Sequence, residues 1–347
     1  LDYVANHVHE LHPVYQKHPN WATNKYTADG RLNTQLWDEE RLTTWFDTFM
    51  PTLELRNDTV AELMSDSALV WITEYDFDGF RHDATKHIPM NFTRLLTQKI
   101  RAASDDHVYQ IGETYGSDEL IASYVGSGKV DAQFNFNLYD AAFEAFTQEG
   151  ATFDRLRKAL ESSLTYYGHH HLMGNISGNQ DKPRFSSMAS GHLSMSEDSK
   201  LAGWTREIPE PTERGYRKMA AMHAFNIAVP GIPILYYGDE IALHGGNDPD
   251  NRKMMPFDFS DRQQQLFDRI ARLNENRTNI MALNYGSTTV YQPEPHLLII
   301  VRKYMEQEVR FFFNNSNEER YLENWDITVP ADGEIYQTRN CGQFNQE

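Results

Sequence analysis

Four polar clusters in this chain have the residue types that acid–base or nucleophilic chemistry needs: Asp2/Asn6/His7, Arg81/Asp83, Glu113 and Asp181. The densest surrounds Arg81: Phe77-Asp78-Gly79-Phe80-Arg81-His82-Asp83-Ala84-Thr85-Lys86-His87. An apolar strand that runs out into an Arg, an Asp, a Lys and a His packs poorly but suits a ligand-facing end. Arg81 and Asp83 are two positions apart, so a strand points both to one face. Arg81 would pair there with Asp83, which suits an anionic nucleophile. The same four side chains would also make an ordinary surface salt-bridge cluster. Asp83 and Glu113 are separated by thirty positions, about one strand–helix unit, so neighbouring parallel strands would bring both carboxylates to one mouth. Two facing carboxylates are what glycoside hydrolysis uses, one as nucleophile and one as proton donor. A third, Asp181, would stabilise an oxocarbenium-like transition state. Metal-dependent and phosphate-binding barrels also carry carboxylates at strand ends, so position alone does not decide.

The elements that must hold these groups read as alternating strands and helices. Strands are expected at 1–6, 78–82, 107–112, 130–136, 172–178 and 232–237. Between them, helical spacing of apolar residues appears at Val60, Leu63, Met64, Ala68 and Trp71, and again at Phe92, Leu95, Leu96 and Ile100. Further helices are expected at 118–125, 138–147, 152–165, 213–228 and 261–275. Thr59 and Glu62 have the spacing of a capping box for the first helix. Such alternation means a parallel sheet covered by helices, and active groups then lie at the C-terminal strand ends. Six strands are two fewer than a closed (β/α)8 barrel has. The chain opens at Leu1 inside an apparent strand, so the first two strands are expected to lie outside this sequence. Residues 8–52 interrupt the alternation with three histidines, three prolines and many aromatics, and read as an inserted subdomain. After about residue 283 only strands remain, at 296–304, 308–314 and 325–329, as a separate antiparallel β domain. The expected domains are 1–7 and 53–282 for the barrel, 8–52 for the insertion and 283–347 for the C-terminal domain.

Composition narrows the partners. The formal net charge of −18 argues against nucleic acid and anionic membrane surfaces. A neutral polar substrate is indifferent to that field, and aromatics at 12% supply flat faces for sugar rings. No apolar run is long enough to span a bilayer. The single cysteine, Cys341, excludes an internal disulfide and a Cys-based zinc site. The runs His9/His12/His18 and His169-His170-His171 lack the spaced partners of a metal site. Oligomeric state is not legible.

These motifs resemble those of the α-amylase family of retaining glycoside hydrolases. Asp2-Tyr3-Val4-Ala5-Asn6-His7 is similar to its first motif, and Gly79 to His87 matches the second in the form of true α-amylases. Gly112-Glu113-Thr114 is similar to the third, and Gly178-Asn179-Gln180-Asp181-Lys182-Pro183-Arg184 to the fourth. Met50-Pro51-Thr52-Leu53-Glu54 resembles the motif that closes the family's inserted domain B. The resemblance implies Asp83 as nucleophile, Glu113 as general acid/base and Asp181 as transition-state stabiliser. It implies substrate contacts for Asp2, His7, Arg81, Lys86, His87, Gln180 and Arg184. It also implies a Ca²⁺ site using Asn6 and the His87 carbonyl. Two positions depart from the family: Gln180 stands where His is usual, and Thr52 where an Asp often binds calcium. The implied activity is endo-type hydrolysis of α-1,4 bonds in starch or maltodextrins. The Met-Pro motif and the loop 245–252 instead resemble neopullulanases and cyclomaltodextrinases, the alternative reading. A glucanotransferase would share all three carboxylates. A non-catalytic amylase-like protein would have lost them.

Overall fold

The computed structural model describes residues 1–339 and 345–346, so Cys341 lies outside the described residues. The chain divides into two compact units, Leu1–Phe134 and Asn135–Glu347.

In the first unit, strands β1 (Asp2–Tyr3), β2 (Gly79–His82), β3 (Tyr109–Gly112) and β4 (Ala132–Gln133) form one parallel sheet in that order. Helices α1 (Pro13–Lys17), α2 (Asp58–Thr73), α3 (Met90–Ala103) and α4 (Asp118–Ser123) lie between them in sequence. The core sits where α2 and α3 cover the sheet: Val60, Ala68 and Ile72 of α2 meet Phe92, Leu96 and Ile100 of α3 and Phe80 of β2. The expected helix is present, but its cap differs. Asn57 is the N-cap and accepts from the Thr59 and Val60 amides, while Glu62 pairs with Lys99 instead of closing a box. Asn is a strong N-cap because its short carbonyl reaches those orphan N–H groups.

The insertion leaves and returns at one point. The Val8 N–H donates to Pro51 O at 3.2 Å and the Leu53 N–H to Asn6 O at 2.8 Å, with a bridge between His7 and Thr52. Between these ends the chain has α1, a 3₁₀ turn at Pro19–Trp21 and isolated bridges, the irregular character that its prolines and aromatics suggest.

In the second unit, β5 (Gly174–Ile176) pairs in parallel with β6 (Ile232–Ile234). Helices α5 (Phe136–Thr147), α6 (Asp154–Tyr167), α7 (Phe185–Ala189), α8 (Ser199–Thr205), α9 (Glu213–Ala228), α10 (Asp261–Asn279) and α11 (Met281–Tyr285) belong to it. The antiparallel part contains more strands than the sequence reading found. β7 (Ser287–Glu294), β8 (Leu297–Tyr304), β9 (Gln307–Asn314), β12 (Gly333–Arg339) and β13 (Asn345–Gln346) form a sheet in the order β13-β12-β9-β8-β7. A two-stranded ribbon of β10 (Arg320–Leu322) and β11 (Ile327–Val329) packs Leu322, Ile327 and Val329 on Leu297, Ile299 and Phe312 of that sheet. No helix of the described residues is long and apolar enough to cross a membrane.

Candidate active site

Two glycines let the strands of the first unit approach closely enough to build the site. A Cβ on Gly79 would lie 2.1 Å from the Tyr109 carbonyl oxygen, and one on Gly112 would lie 2.7 Å from Thr85 Oγ1. With that space open, Thr85 Oγ1 accepts the Glu113 N–H at 3.1 Å and donates to the His82 carbonyl at 2.9 Å. Just past β2, Ala84 has φ +49°, a left-handed conformation that costs a non-glycine residue of order 1–3 kcal/mol. This turn follows Asp83, whose N–H remains on Tyr3 O at 3.1 Å, and sends the Ala84 N–H to Glu113 Oε2 at 3.3 Å.

The side chains converge on one guanidinium. Arg81 Nη1 lies 2.8 Å from Asp2 Oδ1 and 2.7 Å from Asp83 Oδ1, and Nη2 lies 2.7 Å from Glu113 Oε2. Arg81, Asp83 and Glu113 are mostly buried, at 17%, 22% and 14% side-chain exposure, so the pairing is shielded from bulk water rather than a solvated surface cluster. The structure therefore brings Asp2, Arg81, Asp83 and Glu113 together. Burial pushes the His7 imidazole below its ordinary pKa, and the Asp83 carboxylate opposes that shift. At neutral pH, His7 is thus a neutral donor and acceptor beside the carboxylates.

The insertion supplies the second wall. Phe46 stacks on His7 at 4.1 Å between ring centroids and meets His87 edge-on at 5.2 Å, while Trp37 contacts His87 at 5.4 Å. Lys86 Nζ pairs with Asp38 Oδ1 at 2.5 Å. His87 Nδ1 hydrogen-bonds the Arg41 carbonyl at 2.7 Å, and burial pushes its pKa down to about 4. Arg41 Nη1 donates to the Lys86 carbonyl and to the Tyr124 hydroxyl, and that hydroxyl donates to Ile88 O at 2.8 Å. Trp37, Asp38, Arg41 and Phe46 were not assigned from sequence. The aromatic richness of 8–52 was the available signal, but nothing local says which rings face the site.

The calcium shell implied by the resemblance does not fit these residues. Ca²⁺ takes six to eight oxygens, usually with carboxylates among them. Asn6 Oδ1 is buried without a hydrogen-bond partner and would suit a cation. Thr52 Oγ1, which donates to the Thr44 carbonyl at 2.6 Å, brings no negative charge, and Arg41 brings a positive charge to the carbonyl next to His87. Among the described residues no three His, Cys, Asp or Glu side chains gather as metal ligands. Arg41 thus ties the insertion to the 86–88 turn directly. Arg41→Met is expected to lower Tm by several degrees, at about 2–4 °C per kcal/mol lost. EDTA or added Ca²⁺ is expected to leave the wild-type Tm in place; thermal melts with and without chelator check both.

Asp181 lies in the second unit. Its Oδ2 accepts from Gln180 Nε2 at 3.0 Å, its Oδ1 pairs with Arg252 Nη2 at 3.3 Å, and its N–H donates to Asn179 Oδ1 at 2.9 Å. The carboxylate remains 56% exposed. Asn251 Nδ2 fastens the loop by donating to the Gln180 and Lys182 carbonyls, each at 2.8 Å. Arg184, expected to contact substrate, instead turns inward. At 2% exposure it pairs with Asp239 at 3.0 Å, donates to Tyr237 O and Asn251 O, and lies under the Tyr236 and Tyr237 rings. A guanidinium five donors wide can tie together several chain segments at once, and here it holds the Asp181 loop to the 237–251 loop. Arg252, rather than Arg184, is the cation on Asp181; its motif-like loop was noticed in the sequence, but not its role.

The catalytic-domain model of the α-amylase family matches residues 1–310. The chain belongs to the α-amylase family. Its fold is accordingly that family's (β/α)8 barrel with a C-terminal β-sheet domain. The chain is 28% identical over 329 residues to a cyclomaltodextrinase of Geobacillus thermopakistaniensis (strain MAS1), covering 92% of this chain and 51% of that protein. It is 23% identical over 340 residues to an intracellular maltogenic amylase of Bacillus subtilis, covering 96% of this chain and 54% of that protein. It thus spans about half the length of these curated relatives of the α-amylase family. Among solved structures it superposes on an α-amylase from Geobacillus thermoleovorans, complexed with acarbose, with a TM-score of 0.79. That match has 24% identity and covers 98% of this chain and 77% of the other.

Proposed function

We propose that this chain carries the catalytic machinery of a retaining α-glucan hydrolase that prefers short or cyclic maltodextrins. The observation that carries the reading is the grip of one guanidinium, Arg81, on both Asp83 and Glu113. It holds the two carboxyl groups near one another, as the ~5–5.5 Å spacing of retaining enzymes requires. Asp83 is the nucleophile that attacks the anomeric carbon. Glu113 protonates the departing glycosidic oxygen and later deprotonates the incoming water. Asp181 stabilises positive charge on the sugar in the transition state. His7 is proposed to hold sugar hydroxyls, with Lys86 and His87 on the leaving-group side and Gln180 beside Asp181. Asp2 and Arg184 act by positioning Arg81 and the Asp181 loop. Residues 8–52 are the proposed domain B and 283–347 the C-terminal domain. Six parallel strands are described against the eight of a closed barrel, so two further strands are proposed outside this sequence.

The sequence reading put endo-hydrolysis of starch first. Relatives named as cyclomaltodextrinases and maltogenic amylase favour the alternative. Initial rates on β-cyclodextrin, pullulan and soluble starch, with NMR of the first-formed anomer, test both levels. Cyclodextrin opening faster than starch cleavage, with an α-anomer product, is expected. Starch faster by about tenfold, some 1.4 kcal/mol in barrier, would restore the first reading, and a β-anomer would overturn the mechanism.

A further inference from the structure

The exposed Asp181 is carried by a stretch with little structure of its own. Between β5, which ends at Ile176, and α7, which begins at Phe185, the chain forms neither helix nor strand. Within it the Lys182 N–H reaches Asn179 O at 3.4 Å, a long bond. The firmer contacts come from outside the stretch, and they converge on one carboxylate, Asp239.

Asp239 stands just past β6 and is 1% exposed. Its two oxygens take opposite ends of the stretch. Oδ2 accepts Ser177 Oγ at 2.6 Å, and Oδ1 accepts Arg184 Nη1 at 3.0 Å. Asp181 lies between Ser177 and Arg184 in the chain. The clamp is itself anchored on β6. Ser177 Oγ accepts the Tyr236 N–H at 3.0 Å, and the Asp239 N–H donates to Tyr236 O at 3.0 Å. The fit is close: a Cβ on Gly178 would lie 3.1 Å from Asp239 Oδ2. From Arg184 the hold passes onward. Its Nε donates to Asn251 O, and Asn251 Nδ2 donates to the Gln180 and Lys182 carbonyls on either side of Asp181. Stability alone does not call for such a pair, since a buried ion pair is often no more stabilising than well-packed apolar residues of similar size. What it adds is directed hydrogen bonding.

The groups facing Asp239 set its charge. Burial raises its pKa to about 6, with Glu240 adding to the rise and Arg184 and Ser177 opposing it. His223 of α9 bonds the Asp239 backbone, and burial lowers its pKa to about 4, so it is neutral over the range in which Asp239 titrates. The Tyr236 and Tyr237 rings lie on Arg184. Asp239 is therefore ionised at neutral pH. It takes up a proton as pH falls through about 6, which removes the counter-charge of the buried Arg184.

We propose that Asp239 is a positioning residue for Asp181, its ionised carboxylate fixing both ends of the stretch that carries Asp181. This role rests on the transition-state function proposed for Asp181. The test is a double-mutant cycle in the full chain, read as kcat and KM on β-cyclodextrin and on an aryl α-maltoside. Asp239→Asn keeps an oxygen for Arg184 but removes the charge. It is expected to lower kcat about ten- to hundredfold on both substrates, with KM little changed, because Asp181 acts on the sugar whatever the leaving group. In an Asp181→Asn background the same change is expected to cost less than about twofold, since no carboxylate is left to position. The fall in wild-type kcat as pH drops through about 6 is expected to be missing from Asp239→Asn. Ser177→Ala removes only the neutral arm and carries the test where Asp239→Asn does not fold. It is expected to lower kcat about three- to tenfold and to lose that effect in the Asp181→Asn background. A full loss in the Asp181→Asn background shows that the clamp only holds the fold together and overturns the proposal. A fall in kcat near pH 6 that persists in Asp239→Asn overturns it too, because the charge then plays no part. Wild-type kcat in Asp181→Asn alone sinks the function proposed for Asp181, and the role of Asp239 with it.

Discussion

Asp83→Asn is expected to abolish turnover of every substrate, cyclodextrin and activated aryl maltoside alike, by on the order of 10⁴-fold or more. An amide cannot attack the anomeric carbon, and a better leaving group does not help when no nucleophile is present. The substitution is close to isosteric. Asp83 accepts Arg81 Nη1 at 2.7 Å, and an asparagine carbonyl can accept the same bond. The backbone link from the Asp83 N–H to Tyr3 O does not involve the side chain. Tm should therefore stay close to wild type, which separates a chemical loss from a folding loss. Mass spectrometry with a slow fluorinated maltosyl donor should show the glycosyl adduct on wild type and none on the variant. Near-wild-type turnover in Asp83→Asn would show that the nucleophile lies elsewhere, even with the fold unchanged.

Glu113→Gln should behave differently, and the contrast is more diagnostic than either loss alone. Cyclodextrin and starch leave as poor alkoxides and need the proton, so their cleavage should fall by about 10²–10⁴-fold. An aryl α-maltoside with an acidic phenol needs no protonation, so its first step should survive and the glycosyl-enzyme should accumulate. Azide needs no general base and should then restore aryl maltoside turnover, with a glycosyl azide of retained configuration as product. Equal loss on both substrates without azide rescue would place the proton donor on another residue. The Glu113→Gln substitution would also change the grip of Arg81, since only the amide oxygen of the new side chain can accept Nη2. A melt of the variant shows whether that contact matters to stability.

The parts legible in the sequence were those with a short-range signal. Apolar spacing placed α2 and α3 closely, and α9 runs Glu213–Ala228 as expected. β2 and β3 were found because each ends abruptly in polar residues. β7 and β12 were missed. β7 runs Ser-Thr-Thr-Val-Tyr-Gln-Pro-Glu with little apolar alternation, since its edge position leaves most of it exposed. The site divides similarly. Asp83 and Glu113 follow from strand-end spacing and motif. Arg184 is turned inward by its bonds to the 237–251 loop, and that direction is a long-range fact. Arg41 and Phe46 are fixed by tertiary contact alone, with no local pattern to mark them. Thr52 is the position where the sequence departs from the family's calcium ligands, and in the fold its hydroxyl donates to Thr44 O.

The narrow neck of the insertion has a consequence for how such proteins can diversify. Chain leaves at Asn6–Val8 and returns at Pro51–Leu53, held by two backbone hydrogen bonds that involve no side chain. What lies between is a detour with fixed endpoints, so its length and sequence can drift without moving the register of β1 on β2. Closing a longer detour costs little, roughly 0.6 kcal/mol for each doubling. Yet this detour delivers Trp37, Asp38, Arg41 and Phe46 to the wall opposite the carboxylates. Ancestral recombination, or a modern graft, could therefore exchange those side chains while leaving Arg81, Asp83 and Glu113 where they stand.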